Sequence, residues 1–201
     1  MKKIYFDFET TSPNPLKAEI LEAAFIFVED GEVIEKIVSN ITLKKSWNEF
    51  DEDELETLAF NNINSEEDYF EHQKLSNCWN QLHSYLIRYY VEMFQDYDEV
   101  KDKPIKIPLS GWNNAGFDNV ILQRVFPEYK DYFDYHTRDI MHRFQILKEI
   151  GMIKGLSLSK CHQELIGTEK SENFHNALID CYATKDLDEW FEKHIMEEIK
   201  Q

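Results

Sequence analysis

Cysteine is scarce in this chain, whose 201 residues include only Cys78, Cys161 and Cys181. Their odd number and wide spacing argue against a disulfide framework and against a zinc site with Cys-x-x-Cys spacing. The sequence also lacks any run of 18 apolar residues, and the few residues before Asp7 leave no room for the apolar core of a signal peptide. We therefore expect a soluble, cytoplasmic protein in a reducing compartment, with no membrane partner.

Positive charge is in short supply as well. Asp and Glu number 39 against 22 Lys and Arg, so the net charge is −17, which disfavours long-range attraction to nucleic acid. Residues 44–103 hold fifteen acidic against six basic residues, whereas residues 124–160 hold seven basic against five acidic. A polyanion would have to approach this second region or a bound metal. The candidates to guide one strand of a nucleic acid are Arg124, Arg138, Arg143, Lys148 and Lys154.

The remaining composition is that of a compact globule. Apolar residues make up 42% of the chain and aromatic residues 14%, which is enough for a sizeable core, and no internal repeat or low-complexity tract is evident. We expect one domain over residues 1–201, with an acidic helical insertion at about 44–103. The acidic run at 51–56 within it is interpreted as a solvated face.

The first forty residues predict an antiparallel meander of three strands. The first strand starts at Ile4 and ends at the turn that begins with Thr10. Residues 19–29 are predominantly apolar, with an unbroken apolar run at 23–28, which is typical of a central strand. Asp30-Gly31 is a strong two-residue hairpin signal, and it predicts a third strand at 32–42.

Helices and short strands are predicted to alternate in the rest of the chain. Ser65 is a predicted helix cap, and apolar residues recurring every three or four positions over 75–89 predict one long amphipathic helix. Residues 96–104 have the composition of a loop. The later predicted elements are a strand at 105–112, a helix at 117–126, a short strand at 133–138, and helices at 140–150, 157–166 and 177–199. This order suits an α/β fold with a mixed five-stranded sheet and helices on both faces.

Two acidic side chains lie next to each other on the first strand. Because successive side chains of a strand alternate, Ile4, Phe6 and Phe8 share one face while Asp7 and Glu9 share the other. Carboxylates this close repel each other and lose hydration unless a cation lies between them, most often a divalent ion. Pairs at this spacing recur elsewhere in so acidic a chain, but without an apolar strand around them. Asp7 and Glu9 are therefore candidate metal ligands.

Two later stretches place further acids where they could join this pair. Asp118 follows the turn after the fourth strand, and Asp180 lies near the start of the last helix. On an ideal helix, His175 and Asp180 would point about 140° apart. They converge only if His175 lies in the preceding loop and Asn176 caps the helix. The histidine would then be mobile and exposed.

The three blocks together resemble a known family. Phe6-Asp7-Phe8-Glu9-Thr10, Asn114-x-x-Phe117-Asp118 and His175-x-Ala177-x-x-Asp180 look like the three motifs of proofreading-type 3′-5′ exonucleases, in the histidine-containing DEDDh branch of the DEDD superfamily. The resemblance covers residues 6–180 in the family's order. It implies a ribonuclease H-like fold and two divalent ions, Mg2+ or Mn2+, with a histidine general base at His175. The implied metal ligands are Asp7, Glu9, Asp118 and Asp180.

The implied activity is hydrolysis of phosphodiester bonds from the 3′ end of single-stranded DNA or RNA, which releases nucleoside monophosphates. By the same resemblance, Thr10 and Thr11 would contact the terminal nucleotide through backbone groups, and Asn114 matches the family's asparagine. Phe117 or Trp112 could stack on a base, although core packing explains both rings equally well.

Other polar residues are interpreted more simply. Asp139 is a predicted helix cap, and Glu22 on the second strand is a candidate to face the site. His136, His142 and His162 are interpreted as structural.

The sequence leaves several alternatives open. One is a catalytically weak module of the same fold that binds nucleic-acid ends or a polymerase. Another is an endonuclease of this fold, which would lack the block around His175. The sequence does not distinguish a DNA from an RNA substrate. It also does not show whether the protein forms a homodimer or binds a polymerase or other replication protein.

Overall fold

The computed structural model describes residues 1–167 and 175–196. In chain order, the strands are β1 (Lys2–Thr10), β2 (Ile20–Glu29), β3 (Glu32–Asn40), β4 (Tyr97–Asp98), β5 (Lys103–Pro104), β6 (Leu109–Gly111) and β7 (Arg138–Asp139). Five of them form the main sheet, in the order β3-β2-β1-β6-β7. β1 to β3 are antiparallel, whereas β6 is parallel to β1 and to β7, so the predicted meander and mixed five-stranded sheet are confirmed.

Helices connect and cover these strands. They are α1 (Glu52–Phe60), α2 (Glu66–Lys74), α3 (Trp79–Tyr89), α4 (Asp118–Val125), α5 (Tyr129–Tyr132), α6 (Met141–Glu149), α7 (Leu158–Leu165) and α8 (Ala177–Phe191). A 3₁₀ turn at Trp47–Glu49 precedes α1, and π-helical turns at Tyr90–Phe94 and Glu192–Met196 extend α3 and α8. Among the described helices, none is both long and apolar enough to cross a membrane.

The turn between β2 and β3 has the geometry that its sequence predicts. Asp30 and Gly31 have φ values of 51° and 89°, and a two-residue type I′ turn needs positive φ at both positions. The turn fixes the register of β3 on β2 and leaves β2 in the interior of the sheet.

Apolar side chains cover the sheet on both faces. On one face, Ile4 and Phe6 of β1 lie in a large core with residues of α3 and α4. On the other face, Tyr5 packs in a smaller core with Ala177 and Cys181 of α8. The predicted arrangement of helices on both faces is therefore confirmed, and α8 lies over the face that carries Asp7.

Several predicted boundaries are wrong. The predicted long helix is divided into α2 and α3, and Leu75 lies between them with 74% of its surface exposed. The break occurs because Asn77 adopts an extended conformation: its N–H donates to the Asn40 carbonyl at 2.8 Å, and its carbonyl accepts from Thr42 N–H at 2.9 Å. The N–H and carbonyl groups of Asn77 are therefore not available for the hydrogen bonds of a continuous helix.

The short strands also differ from their predicted ranges. Only Leu109–Gly111 of the predicted strand at 105–112 pairs with β1, and β7 begins at Arg138, where the strand predicted at 133–138 was to end. β4 and β5 form a small hairpin within the predicted loop at 96–104. The last helix was predicted to reach residue 199; its regular part ends at Phe191, and residues 197–201 lie outside the described residues.

The segment before α3 builds a small core of its own. Leu58 of α1 is fully buried and packs in one cluster with Leu21 of β2 and with Ile63. The interpretation of residues 51–56 as a solvated face is wrong for Glu54, which is buried and forms an ion pair with Lys45. This core fixes α1 against the end of the sheet. The division of the chain into one domain with an insertion at 44–103 stays a prediction.

Candidate active site

Three of the four predicted metal ligands converge at the carboxyl end of β1. Asp7 and Glu9 lie on the same face of the strand, and α8 brings Asp180 against that face. One carboxylate oxygen from each residue lies within 4.8 Å of the other two. Oxygen atoms at this separation can share a hard divalent cation.

Asp118 lies beside this group rather than within it. It is the first residue of α4 and is 5% exposed, and its Oδ1 accepts a hydrogen bond from the Phe8 backbone N–H at 3.2 Å. Phe8 separates Asp7 and Glu9 in the sequence, so this bond ties α4 directly to the acidic end of β1. The charge of Asp118 still acts on Asp7, whose pKa it raises.

A partly buried carboxylate, Asp139, holds the turn before α4. Asp139 accepts hydrogen bonds from the backbone N–H groups of Asn113 and Ala115 at 3.0 and 3.2 Å. It also accepts from the N–H of Met141, the first residue of α6, at 3.1 Å, but the N-cap of that helix is Ile140 rather than the predicted Asp139. Asp139 therefore links the start of α6 to the turn that delivers Asp118.

Asn114 is completely buried in the same turn. Its Nδ2 donates to Thr137 Oγ1 at 2.7 Å. Gly111 makes room for it, because a Cβ at position 111 would lie 2.8 Å from the Asn114 Cβ and 3.0 Å from the Phe6 carbonyl oxygen. The side chain positions the turn in this structure, and its predicted contact with substrate stays a prediction.

Burial and repulsion between carboxylates raise the pKa values of Asp7, Glu9, Asp118 and Asp180. Burial, followed by repulsion from Asp118 and Asp180, raises the pKa of Asp7 well above its usual range. Burial and the charge of Asp180 raise the pKa of Glu9 to about 8. Burial also raises the pKa of Asp118 and of Asp180 to about 7, although backbone hydrogen bonds partly oppose the effect in both. The cluster is therefore costly to ionise without a cation.

The donor set of this cluster fits a divalent metal. All its side-chain ligand atoms are carboxylate oxygens, which hard cations such as Mg2+ and Mn2+ prefer. Asp180 Oδ1 is buried and accepts no hydrogen bond within the described part of the chain. A buried carboxylate oxygen that accepts no hydrogen bond is stabilised when it binds a cation.

His175 lies just outside α8, as predicted. Its φ of 81° is in the left-handed region, and Asn176 follows as the N-cap, accepting a hydrogen bond from Ile179 N–H at 3.2 Å. Asn176 Nδ2 also donates to Glu22 at 3.2 Å, which places Glu22 at the site. The His175 imidazole is exposed, and its ring centroid lies 4.3 Å from that of Phe60.

A cleft of about 450 Å³ opens beside the acids. Glu9 and His175 line it together with Asn61, Asn62 and His72, which the sequence analysis does not identify. These three residues belong to the segment at 44–103. No local pattern marks them, because they reach the site only through the packing of α1 and α2 on the sheet.

Most of the residues predicted to contact the nucleotide are partly or fully buried, or form hydrogen bonds within the protein. Thr11 pairs with Glu19, since its N–H donates to the Glu19 carbonyl and its Oγ1 accepts from Glu19 N–H, both at 3.0 Å. Thr10 is 6% exposed, and Phe117 packs at the edge of the large core. Trp112 donates from Nε1 to the Leu156 carbonyl at 3.1 Å and packs on Phe144, as the core alternative predicts. Binding of substrate by Thr10, Thr11 and Phe117 stays a prediction.

Two of the five cations proposed to guide a nucleic-acid strand form internal ion pairs, so the proposal is wrong for these two. Arg143 donates to the buried Asp188, and Arg138 lies 3.7 Å from the same carboxylate. Arg124 donates to the neutral Ala18 carbonyl and is exposed, so its charge stays available. Lys148 and Lys154 are exposed.

Two of the three histidines predicted to be structural lie beside carboxylates. His136 Nδ1 is 3.1 Å from an Asp134 carboxylate oxygen, and His162 Nε2 is 3.4 Å from one of Asp186. His142 is exposed on α6, and its structural role stays a prediction.

No family model matches the sequence, and no curated protein does. The structure, however, is similar to solved structures of E. coli exonuclease I. The complex of that protein with a dT13 oligonucleotide superposes with a TM-score of 0.71 at 15% identity, over 99% of this chain and 42% of that chain. The zinc-ion-bound form of its complex with single-stranded DNA gives a TM-score of 0.70 at 15% identity, over 98% and 41%.

The chain thus spans about two fifths of the length of these neighbours. At such low identity, the likeness shows the fold. The fold implied by the three sequence motifs is confirmed: this chain has a ribonuclease H-like fold.

Proposed function

We propose that this protein is a metal-dependent 3′-5′ exonuclease that acts on single-stranded nucleic acid and releases nucleoside monophosphates. The observation that carries the proposal is the convergence of Asp7, Glu9 and Asp180, with Asp118 bonded beside them, on a ribonuclease H-like fold. The structural neighbours support the substrate class, since E. coli exonuclease I is described in complex with single-stranded DNA.

The four acids would hold two divalent ions, Mg2+ or Mn2+. Such ions supply counter-charge for the phosphodiester and lower the pKa of the attacking water. Asp7 and Glu9 are held on a buried strand and Asp180 on a capped helix, which supports a role in holding metal ions against the scissile phosphate. We assign the same ligand role to Asp118, which the Phe8 N–H holds in place.

His175 is proposed as the general base. Its imidazole borders the cleft that contains Glu9, and it is exposed enough to accept a proton from water. Burial of part of the ring lowers the pKa of His175, so the neutral form that can accept a proton prevails at neutral pH. Thr10, Thr11 and Phe117 would then contact the terminal nucleotide, with Asn114 supporting the turn.

An assay with 3′-labelled and 5′-labelled DNA and RNA oligonucleotides tests the activity directly. With Mg2+ or Mn2+, we expect the 3′ label to be released at once as a mononucleotide while 5′-labelled products shorten stepwise. With a chelator, we expect no cleavage. Internal cutting, or metal-independent release, would contradict the proposal.

Variants separate the ligands from the base. Asp7→Asn should lose both metal binding, measured by calorimetric titration, and activity. His175→Ala should lower kcat by about 10²- to 10⁴-fold, the usual range for loss of a general base, and leave metal affinity unchanged. Asp53→Asn, at an exposed acid of α1, is the matched control and should behave as the parent. Parental turnover in His175→Ala would remove the general-base role.

A further inference from the structure

Phe60 is an exposed aromatic residue whose ring lies against the candidate general base. It is the last residue of α1, and 61% of its surface is exposed. Its ring centroid lies 4.3 Å from that of His175, and the two planes meet at 61°. This is close to the edge-to-face geometry that aromatic pairs favour.

The end of α1 holds Phe60 firmly. Leu58 is fully buried, and its carbonyl accepts a hydrogen bond from Ile63 N–H at 2.9 Å. Between them, Asn61 ends the helix and donates to the Thr10 carbonyl at 3.4 Å, and Asn62 takes a left-handed φ of 62°. The position of Phe60 is therefore tied to the end of β1 that carries Glu9.

α8 fixes only the backbone of His175. Its N–H donates to the carboxylate of Asp180, and the neighbouring Asn176 caps the helix. Neither contact restricts rotation of the imidazole about its side-chain bonds. The contact with Phe60 limits that rotation from the opposite side of the cleft.

We propose that Phe60 is a positioning residue, which holds the His175 imidazole in one orientation beside the cleft. The inference rests on the proposed function, since it assigns Phe60 a role through the general base. It also gives the segment at 44–103 a part in the reaction, because α1 supplies a contact that the three sequence motifs do not contain.

Kinetics of matched variants test this role. Phe60→Leu should lower kcat by about 10-fold with little change in KM, because small misplacement of a reacting group is costly to rate. Phe60→Tyr, which keeps the ring, should restore kcat. Phe70→Leu is the control, since Phe70 is 59% exposed on the adjacent α2 and should tolerate the change. In the His175→Ala background, Phe60→Leu should cause no further loss.

Proton NMR of the imidazole provides a readout that does not depend on activity. The His175 ring protons should carry an aromatic ring-current shift that is lost in Phe60→Leu and kept in Phe60→Tyr. If the shift changes as expected but Phe60→Leu keeps parental kcat, the positioning role is overturned and the proposed function is untouched. A rise in KM alone would also overturn it, because Phe60 would then be a substrate contact. Parental activity of His175→Ala would instead remove the general-base role on which the positioning role depends, whatever the result for Phe60.

Discussion

The acids at the end of β1 bear charges that the folded protein alone does not stabilise. Burial and mutual repulsion raise the pKa of Glu9 from 4.5 to about 8, and that of Asp180 from 3.8 to about 7. Between the unfolded-state pKa values of about 4 and the folded-state values of about 7 to 8, the folded chain binds more protons than the unfolded chain. Its free energy of unfolding therefore falls as pH rises.

We predict that, in the presence of a chelator, the protein has a lower Tm at about pH 8 than at about pH 5.5. Added Mn2+ should remove most of this decrease, because a cation that binds only the folded state stabilises it by mass action. Glu9→Gln should flatten the pH dependence in chelator, since it removes one of the titrating groups. The measurement is thermal unfolding by circular dichroism. A Tm that rises over this range without metal would contradict the assigned pKa shifts.

At the scale of single residues, the sequence shows what strand and helix-cap geometry dictate. Alternation along β1 places Asp7 with Glu9, and the angular argument places His175 outside α8 with Asn176 as its cap. Phe60 and Asn61 could not be predicted in this way. Their contacts with His175 and Thr10 join distant parts of the chain, and such contacts depend on how α1 packs rather than on any local spacing.

β6 is a short strand whose position determines where the turn before Asp118 lies. It lies between β1 and β7, and it leads into the turn that delivers Asp118. Its last residue, Gly111, lies against the Asn114 side chain and the Phe6 carbonyl, so that a methyl group has no space there.

We predict that Gly111→Ala lowers the free energy of unfolding by about 1–3 kcal/mol, the usual cost of overpacking a rigid site. It should also lower nuclease activity, because displacement of Asn114 shifts the turn before Asp118. Gly116→Ala, in the same turn, is the matched control: its added Cβ meets no atom within 4 Å. Urea denaturation of both variants measures the effect. Equal stability of the two would show that the turn accommodates the methyl group.

The elements that were predicted correctly are those whose signals are local. The Asp30-Gly31 turn and the caps Ser65 and Asn176 each specify a boundary through a few residues. The division between α2 and α3 could not be predicted, because residues 75–78 contain neither glycine nor proline and the periodic apolar pattern already begins at Leu75. There the backbone of Asn77 pairs with the end of β3, and that tertiary hydrogen bonding overrides the helical pattern.

At the scale of the whole molecule, charge bears on which nucleic-acid substrate we expect. The net charge is −17, and Arg138 and Arg143 are paired with internal carboxylates. Counting charges along the sequence could not reveal this, because composition does not show which cations are already paired. So acidic a chain, with two of its five candidate cations paired internally, is poorly suited to track two phosphate backbones.

We predict that single-stranded 3′ ends are degraded faster than blunt duplex ends of the same sequence. The comparison requires initial rates on a labelled oligonucleotide alone and annealed to its complement, at one fixed salt concentration. Arg124→Gln, Lys148→Gln and Lys154→Gln test whether the three exposed candidates contribute. Equal rates on the two substrates would contradict the argument from charge.

The placement of α8 has a consequence for the order of events during synthesis. Asp7 and Glu9 are made early, whereas Asp180 is made late and reaches them only when α8 docks on β1 and β2 through Ala177 and Cys181. A nascent chain that ends before α8 lacks Asp180, so its acidic cluster is not closed. On the proposed function, the metal-binding acids come together only when the last described helix docks, after nearly all of the chain has been synthesised.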